Sequence, residues 1–285
     1  MVTSNKSGSF ARKHMFVFSV ALAVLVLAIQ LLLGKVLILG SEHPETRLYG
    51  IADIVTMLVP TILVCAAAIL IGMKDKLAFS KKNFGKGLLL GLPLVVLGVY
   101  AGVSTLTEVG FSNLSYPGIV RIATFVLSML LIGVLEEFLC RGIILNLMLE
   151  KWGHTRGGIR KAVLLSSFIF GVTHLANLLV YPNSILSTIA QVFYSSFIGI
   201  YFACIYMRCK NLYAVAILHA FWNACMLLIN ILYLPAALET LSPPVDAGVL
   251  DALVSTVIFL PFALLGFFLI RKKKLPLAEG VEIVA

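Results

Sequence analysis

Long runs of apolar residues, separated by short polar segments, make up most of this chain. A transmembrane helix needs roughly 20 mainly apolar residues, and eight runs are close to that length or exceed it. The pattern therefore predicts an all-α polytopic membrane protein with about eight transmembrane helices. These predicted helices cover residues 15–34, 52–73, 87–107, 122–148, 162–180, 185–207, 212–234 and 250–270.

The composition supports a membrane protein over a soluble one. Apolar residue types form 60% of the 285 residues and charged types only 12%. Soluble domains contain about 45–50% apolar and about 25% charged residues. The chain therefore carries more apolar surface than one soluble core can bury, which excludes an ordinary soluble enzyme and a disordered chain.

The positive charges are distributed unevenly between the predicted loops. If every apolar run crosses the membrane, 18 of the 22 Lys and Arg residues lie on the side of the N-terminus. Only Lys35, Arg47 and Arg121 lie on the opposite side. Cytoplasmic loops of membrane proteins are enriched in Lys and Arg, so we expect both termini in the cytoplasm, with the protein in the cell (plasma) membrane. The net charge of +9 then reflects orientation, and no nucleic-acid partner is expected.

The chain divides into three parts by its polar content. Residues 1–110 hold three predicted helices and a basic loop, 74–86, whose five lysines and interspersed Leu and Phe residues suit contact with anionic membrane lipid. Residues 111–235 hold the next four helices and the ionisable groups that lie deep within predicted helices. Residues 236–285 hold the last helix and a basic C-terminal tail.

Ionisable and amide side chains occur inside three of the predicted helices, where the bilayer makes them costly. Counted at 1.5 Å per residue from the cytoplasmic end of each helix, they lie roughly 10–20 Å deep. Three helices that place polar groups at one depth predict a shared cavity inside the bundle. These groups are Glu136, Glu137 and Arg141 in the fourth helix, His174 and Asn177 in the fifth, and His219 and Asn223 in the seventh.

The spacing within the fourth helix separates the roles of its two carboxylates. Glu137 and Arg141 are four residues apart, so they share one helix face and can form an ion pair. Glu136 points about 100° away and is left without an internal cation, free to face the cavity. A carboxylate in that position can take a proton from water, and His174 is the nearest candidate to orient the same water.

His219 and Asn223 are also four residues apart on one helix face. An imidazole and a carboxamide placed in this way can donate hydrogen bonds to a developing oxyanion. Taken singly, these residues have structural explanations: an ion pair, a histidine in helix packing, or an asparagine bonding between helices, as we expect for Asn177. Because all of these residues are expected at one depth, a catalytic cavity is the favoured interpretation.

The three motifs resemble the CPBP family of intramembrane proteases, which includes CAAX proteases and bacteriocin-processing proteins. The family pattern is EExxxR, FxxxH and HxxxN on separate transmembrane helices. Here it reads Glu136-Glu137-Phe-Leu-Cys-Arg141, Phe170-Gly-Val-Thr-His174 and His219-Ala-Phe-Trp-Asn223. The resemblance covers roughly residues 120–230, and the first 110 residues carry no motif that matches.

The resemblance implies an endopeptidase that cleaves a hydrophobic or prenylated, CAAX-like substrate within the membrane. It implies that Glu136 activates water with help from His174, that His219 and Asn223 support the oxyanion, and that Glu137 and Arg141 are structural. No cofactor is required in this interpretation. Two glutamates and two histidines could instead bind zinc, although the HExxH motif is absent from the sequence.

Two other interpretations of the same polar cluster stay open. Buried carboxylates and histidines are also typical of proton-coupled transporters, although no inverted repeat or pair of broken helices is evident in the sequence. A non-catalytic scaffold could retain the protease core and act by binding a partner. The family resemblance also brings an association with bacteriocin self-immunity, which such a scaffold could serve.

Overall fold

The computed structural model describes residues 6–38, 50–110, 117–232, 246 and 248–271. These residues are almost entirely helical, and no β-strand occurs among them. Arg47, much of the loop that precedes the last helix, and the basic tail from residue 272 onward lie outside the described residues. The helices are α1 Lys6–Lys13, α2 Met15–Ile38, α3 Ile51–Leu70, α4 Phe84–Leu90, α5 Leu92–Val109, α6 Ile119–Glu137, α7 Asn146–Trp152, α8 Arg156–Thr173, α9 Ile185–Cys209, α10 Leu212–Leu227, α11 Ile229–Leu232 and α12 Val249–Leu269.

The structure confirms an all-α polytopic membrane protein, with fewer straight spans than the sequence predicts. Six stretches of helix in the described ranges are long and apolar enough to cross a membrane, or seven if the bent pair α4–α5 counts as one span. The remaining predicted span, 212–234, is represented by α10, whose 16 residues give a helix of about 24 Å. That length is short of the roughly 30 Å hydrocarbon core of a bilayer.

The break between α4 and α5 has a local cause in the sequence. The two helices meet at 57°, and Pro93 occupies the first turn of α5. Proline lacks an N–H and its ring collides with the carbonyl four residues earlier, so a continuous helix cannot pass through this position. The apolar run therefore folds as two helices with a bend at Gly91.

Hydrogen bonds group the connecting segments at two ends of the bundle. At one end, Arg12 bonds the Ile71 carbonyl and Glu150, Tyr213 donates to the Leu77 carbonyl, and Arg156 donates to the Ile270 carbonyl. At the other end, Arg121 donates to the Asn230 carbonyl, and Asp246 accepts from the backbone N–H groups of Leu186 and Ser187. Loops that the charge pattern assigns to one side of the membrane therefore lie together.

Glycines let the helices that carry polar residues approach closely. A Cβ on Gly133 of α6 would overlap the Ala216 carbonyl oxygen and lie 2.9 Å from the Ala220 nitrogen, both on α10. A Cβ on Gly171 of α8 would overlap the Val192 carbonyl oxygen on α9. These contacts bring α6, α8, α9 and α10 together at the depth of the predicted cavity.

Candidate active site

A cavity of about 350 Å³ lies inside the bundle. All four residues predicted to be catalytic line it, and they come from three separate segments of the chain. The rest of its wall is mainly aromatic and aliphatic, with a few polar side chains. The lining residues are Glu136, Phe170, His174, Asn177, Gln191, Tyr194, Ser195, Ile198, His219, Trp222, Asn223, Met226 and Leu227.

The ion pair expected from the spacing of Glu137 and Arg141 is present and fully buried. Arg141 Nη1 donates to Glu137 Oε1 over 2.7 Å, and the two side chains are 2% and 0% exposed. Arg141 Nη2 also donates to the Gly199 carbonyl over 2.8 Å, and its guanidinium lies 5.0 Å from the centre of the Phe170 ring. The guanidinium is thus held by α6, α8 and α9 together.

His219 connects both carboxylates, which the sequence does not predict. Its Nδ1 lies 2.8 Å from Glu137 Oε1 and its Nε2 lies 3.2 Å from Glu136 Oε2. The expectation that Glu136 has no internal cation therefore did not take account of His219, which faces it from another helix. Spacing along one helix cannot reveal this contact, because it depends on how closely α10 packs against α6.

The two carboxylates of this cluster have different surroundings. Glu136 is 31% exposed by its side chain and lines the cavity, whereas Glu137 is completely buried. Both contacts of Glu137 fall on Oε1, and its Oε2 has no hydrogen-bond partner among the described residues. With Arg141 and His219 protonated, the two carboxylates and two cations of the cluster are balanced in charge.

His174 lies where α8 passes into a 3₁₀ segment, His174–Leu179. Its Nδ1 lies 3.2 Å from the Phe170 carbonyl oxygen, and the ring meets the Phe170 ring edge to face. Since a carbonyl can only accept, this bond requires the proton on Nδ1 and leaves Nε2 as an acceptor in the neutral ring. A neutral His174 can therefore accept a hydrogen bond from water or from a protonated carboxyl group.

Asn177 bonds between helices, as the sequence suggests: its Nδ2 donates to Gln191 Oε1 on α9 over 2.8 Å. Asn177 also helps to form a second cavity, of about 230 Å³, which shares Glu136 and His174 with the first. Gln30 of α2 lines this second cavity. Gln30 is not among the residues predicted above, although a lone amide in the middle of an apolar run is a detectable signal.

A wide helical turn positions the ion pair, and this turn has no evident sequence signal. Residues Phe138–Leu145 are π-helical between α6 and α7, a feature frequently found at functional sites. Asn146 Nδ2 lies 2.6 Å from the Arg141 carbonyl, 3.1 Å from the Gly142 carbonyl and 3.0 Å from the Tyr206 hydroxyl. Asn146 thereby satisfies backbone acceptors that the altered turn leaves open.

The described residues do not form an evident zinc site. No group of three or more His, Cys, Asp or Glu side chains within the described ranges is arranged so that it could hold a metal ion. Glu137 is already engaged by Arg141 and His219. We therefore assign no chemical step to a metal, and the metal-independent reaction expected from the sequence stays a prediction.

Comparison with known proteins agrees with the resemblance carried by the three motifs. Residues 118–225 match the sequence model of the family described as type II CAAX prenyl endopeptidase Rce1-like. No curated protein matches the chain. The family match covers α6 to α10 with all three motifs, and it confirms the resemblance to the CPBP family of CAAX-type intramembrane proteases.

Proposed function

We propose that this chain, with its CAAX-protease-like segment 118–225, is an intramembrane endopeptidase for a hydrophobic or lipid-modified, CAAX-like peptide or protein. The observation that carries the proposal is the cavity in which Glu136, His174, His219 and Asn223 meet. Polar side chains from three helices are costly inside a bilayer, and here they line space in which a peptide bond and a water can react.

Glu136 is the proposed base, because it is the carboxylate of the pair that faces the cavity. It removes a proton from a water molecule as the water oxygen attacks the carbonyl carbon of the substrate. The protonated Glu136 then gives that proton to the leaving nitrogen when the C–N bond breaks. The acceptor nitrogen of His174 holds the attacking water or shares its proton.

His219 and Asn223 are the proposed support for the oxyanion. The Nε2 of a protonated His219 is held by the Glu136 carboxylate in the resting site. When Glu136 takes up a proton from water, its charge is lost, and the Nε2–H can donate instead to the oxyanion forming at the same moment. Asn223 lines the same cavity and can supply a second N–H.

Glu137 and Arg141 are proposed to position His219 without touching the substrate. Glu137 Oε1 accepts from both His219 Nδ1 and Arg141 Nη1, which fixes the orientation of the imidazole ring. Because Arg141 is itself held by the Gly199 carbonyl, the support for the ring extends across three helices.

The test is cleavage by purified protein in nanodiscs, with quenched fluorescent peptides that carry a prenylated CAAX-type terminus or an unmodified hydrophobic one. We expect Glu136→Gln to lower kcat/KM by about 10²–10⁴-fold, the usual contribution of a general base. Glu150→Gln, which removes an exposed carboxylate paired with Arg12, is the matched control and should keep full activity.

Three results of this experiment would contradict the proposal. Cleavage retained by Glu136→Gln would exclude the proposed base. Activity that is lost on chelation and restored by zinc would overturn the metal-independent mechanism. A folded wild-type protein that cleaves none of the peptides but takes up protons or ions in liposomes would favour the carrier.

A further inference from the structure

A narrow apolar groove runs along the outside of the bundle between α2 and α8. Its cavity volume is about 250 Å³, and every lining residue except Thr173 is apolar. Phe16, Val24 and Phe168 are about half exposed along it, so the groove is open to the surrounding lipid. We call it the α2/α8 groove, and it is lined by Phe16, Val20, Ala23, Val24, Leu27, Leu165, Phe168, Ile169, Val172 and Thr173.

The α2/α8 groove adjoins the catalytic cavity through a chain of shared lining residues. Leu27 and Thr173 line both the groove and the 230 Å³ cavity that contains Gln30. Glu136 and His174 in turn line both that cavity and the larger catalytic one. A molecule could therefore lie with one end in the groove and the other at the proposed base.

The polarity changes along this path from wholly apolar to mixed. Near the catalytic end, the side chains of Gln30, Thr173 and Asn177 enter the wall. Such groups can bond the N–H and C=O groups of a peptide backbone. The groove beyond Thr173 offers no polar side chain, so a peptide backbone lying there would leave its polar groups unsatisfied in a lipid environment.

The dimensions of the groove suit a linear hydrocarbon chain better than a helix. Between Phe16 and Leu27 it follows α2 for about 17 Å, whereas a helix with its side chains is about 10–12 Å across. A slot of about 250 Å³ over that length does not enclose a helix, which would instead lie against its open side. A linear hydrocarbon chain needs no hydrogen bonds and fits a long, narrow space.

From these observations we infer that the α2/α8 groove binds the hydrocarbon chain of the lipid-modified substrate and directs the adjoining peptide to Glu136. The inference rests on the proposed function and assigns α2, which lies outside the family match, to substrate binding. Because membrane lipid is as apolar as the groove, burial there adds little affinity. The groove acts by orienting the scissile bond.

Photo-crosslinking in the Glu136→Gln protein tests binding without requiring cleavage. The probe is a CAAX-type peptide with a photoreactive isoprenoid on its cysteine, and crosslinked residues are mapped by mass spectrometry. Val24→Trp places a large side chain in the groove. Leu25→Trp is the matched control, since Val24 and Leu25 are 58% and 53% exposed and only Val24 lines the groove.

We expect crosslinks on residues 16–27 and 165–173 that an unlabelled lipidated peptide displaces. Val24→Trp should remove them, and Leu25→Trp should not. With Glu136 restored, Val24→Trp should lower kcat/KM for the lipidated peptide by roughly 10–100-fold, the cost of a misplaced substrate, with little change for an unmodified peptide.

Several outcomes would overturn the inference. One is that the crosslinks are confined to other helices, and another is that the two tryptophan variants have equal effects. A third is groove labelling that a lipidated peptide cannot displace, which would mean that the groove holds membrane lipid only. Failure of the proposed function would give a different result, because the wild type would then cleave no peptide. The displaceable groove crosslinks are measured in Glu136→Gln and do not depend on cleavage.

Discussion

Glu137 shows how one buried carboxylate can serve two partners. A single oxygen, Oε1, accepts from a guanidinium on its own helix and from an imidazole on another. The spacing of Glu137 and Arg141 predicts the first contact, because residues four apart share a helix face. It cannot predict the second, since no sequence interval relates Glu137 to His219. The residue types were therefore predictable, and their connection through His219 was not.

We predict that Glu137→Gln destabilises the protein by about 3–5 kcal/mol, the usual cost of leaving one charge of a buried pair without its partner. The unfolding temperature in detergent measures this loss. Activity should fall as well, because an amide oxygen holds the Nδ1–H of His219 more weakly than a carboxylate does, so the imidazole ring is less firmly oriented.

The double variant Glu137→Leu with Arg141→Met separates the two effects. Removing both charges should recover most of the stability, whereas peptide cleavage stays low because Nδ1 of His219 has lost its acceptor. A Glu137→Gln protein that is as stable and as active as the wild type would contradict the positioning role.

At the scale of helices, the site depends on close approach as much as on polar residues. α6 and α10 carry three of the four proposed catalytic residues, and they meet where Gly133 faces the backbone of Ala216 and Ala220. The sequence contains Gly133 in an apolar run, but only the packing shows that it faces another helix. The π-helical turn after Glu137 could not be predicted either, because its residues have the apolar pattern of an ordinary α-helix.

We predict that Gly133→Ala reduces both stability and cleavage. The added Cβ would collide with the backbone of α10, which cannot move aside as a flexible side chain can, so α6 and α10 must separate. The 2.8 Å and 3.2 Å contacts of His219 with the two glutamates would lengthen. Thermal unfolding and kcat/KM, measured on the same preparation, follow the two effects.

Gly34→Ala is the matched control for this prediction. Gly34 also lies within a membrane helix, and a Cβ there meets no atom within 4 Å. Alanine favours a helix over glycine by about 1 kcal/mol, so this variant should be as stable as the wild type or more stable. Equal behaviour of the two alanine variants would mean that close approach at Gly133 is not required.

For the whole molecule, apolar runs predicted the helical class and most of the spans, because length and hydropathy are decided within one segment. They failed at two places, where the structure breaks or shortens a helix that the length of the apolar run predicts to be continuous. The run 87–107 is broken by Pro93 into α4 and α5, and the run 212–234 yields the 16-residue α10. α10 is nonetheless well buried against its neighbours, which suits a helix that carries polar residues and needs little contact with lipid.

We predict from the positive charges that Lys161 lies in the cytoplasm and Asn183 outside the cell. Both residues are exposed and lie at the beginning and beyond the end of the α8 span, so one crossing separates them. Single cysteines at these positions, in a protein whose five native cysteines are replaced by serine, can be treated with a membrane-impermeant maleimide. Asn183→Cys should react in intact cells, and Lys161→Cys only after permeabilisation.

A third cysteine at Lys82 tests whether the loops that the structure groups at one end share one side of the membrane. Asn211 donates to the Ser80 and Lys82 carbonyls, and Arg12 of the N-terminal helix bonds Ile71 and Glu150. Lys82→Cys should therefore be protected together with Lys161→Cys. The reverse pattern, with Asn183→Cys protected and both lysine positions labelled, would invert the orientation. Labelling of Lys82→Cys alone in intact cells would refute the assignment of this end of the bundle to one compartment.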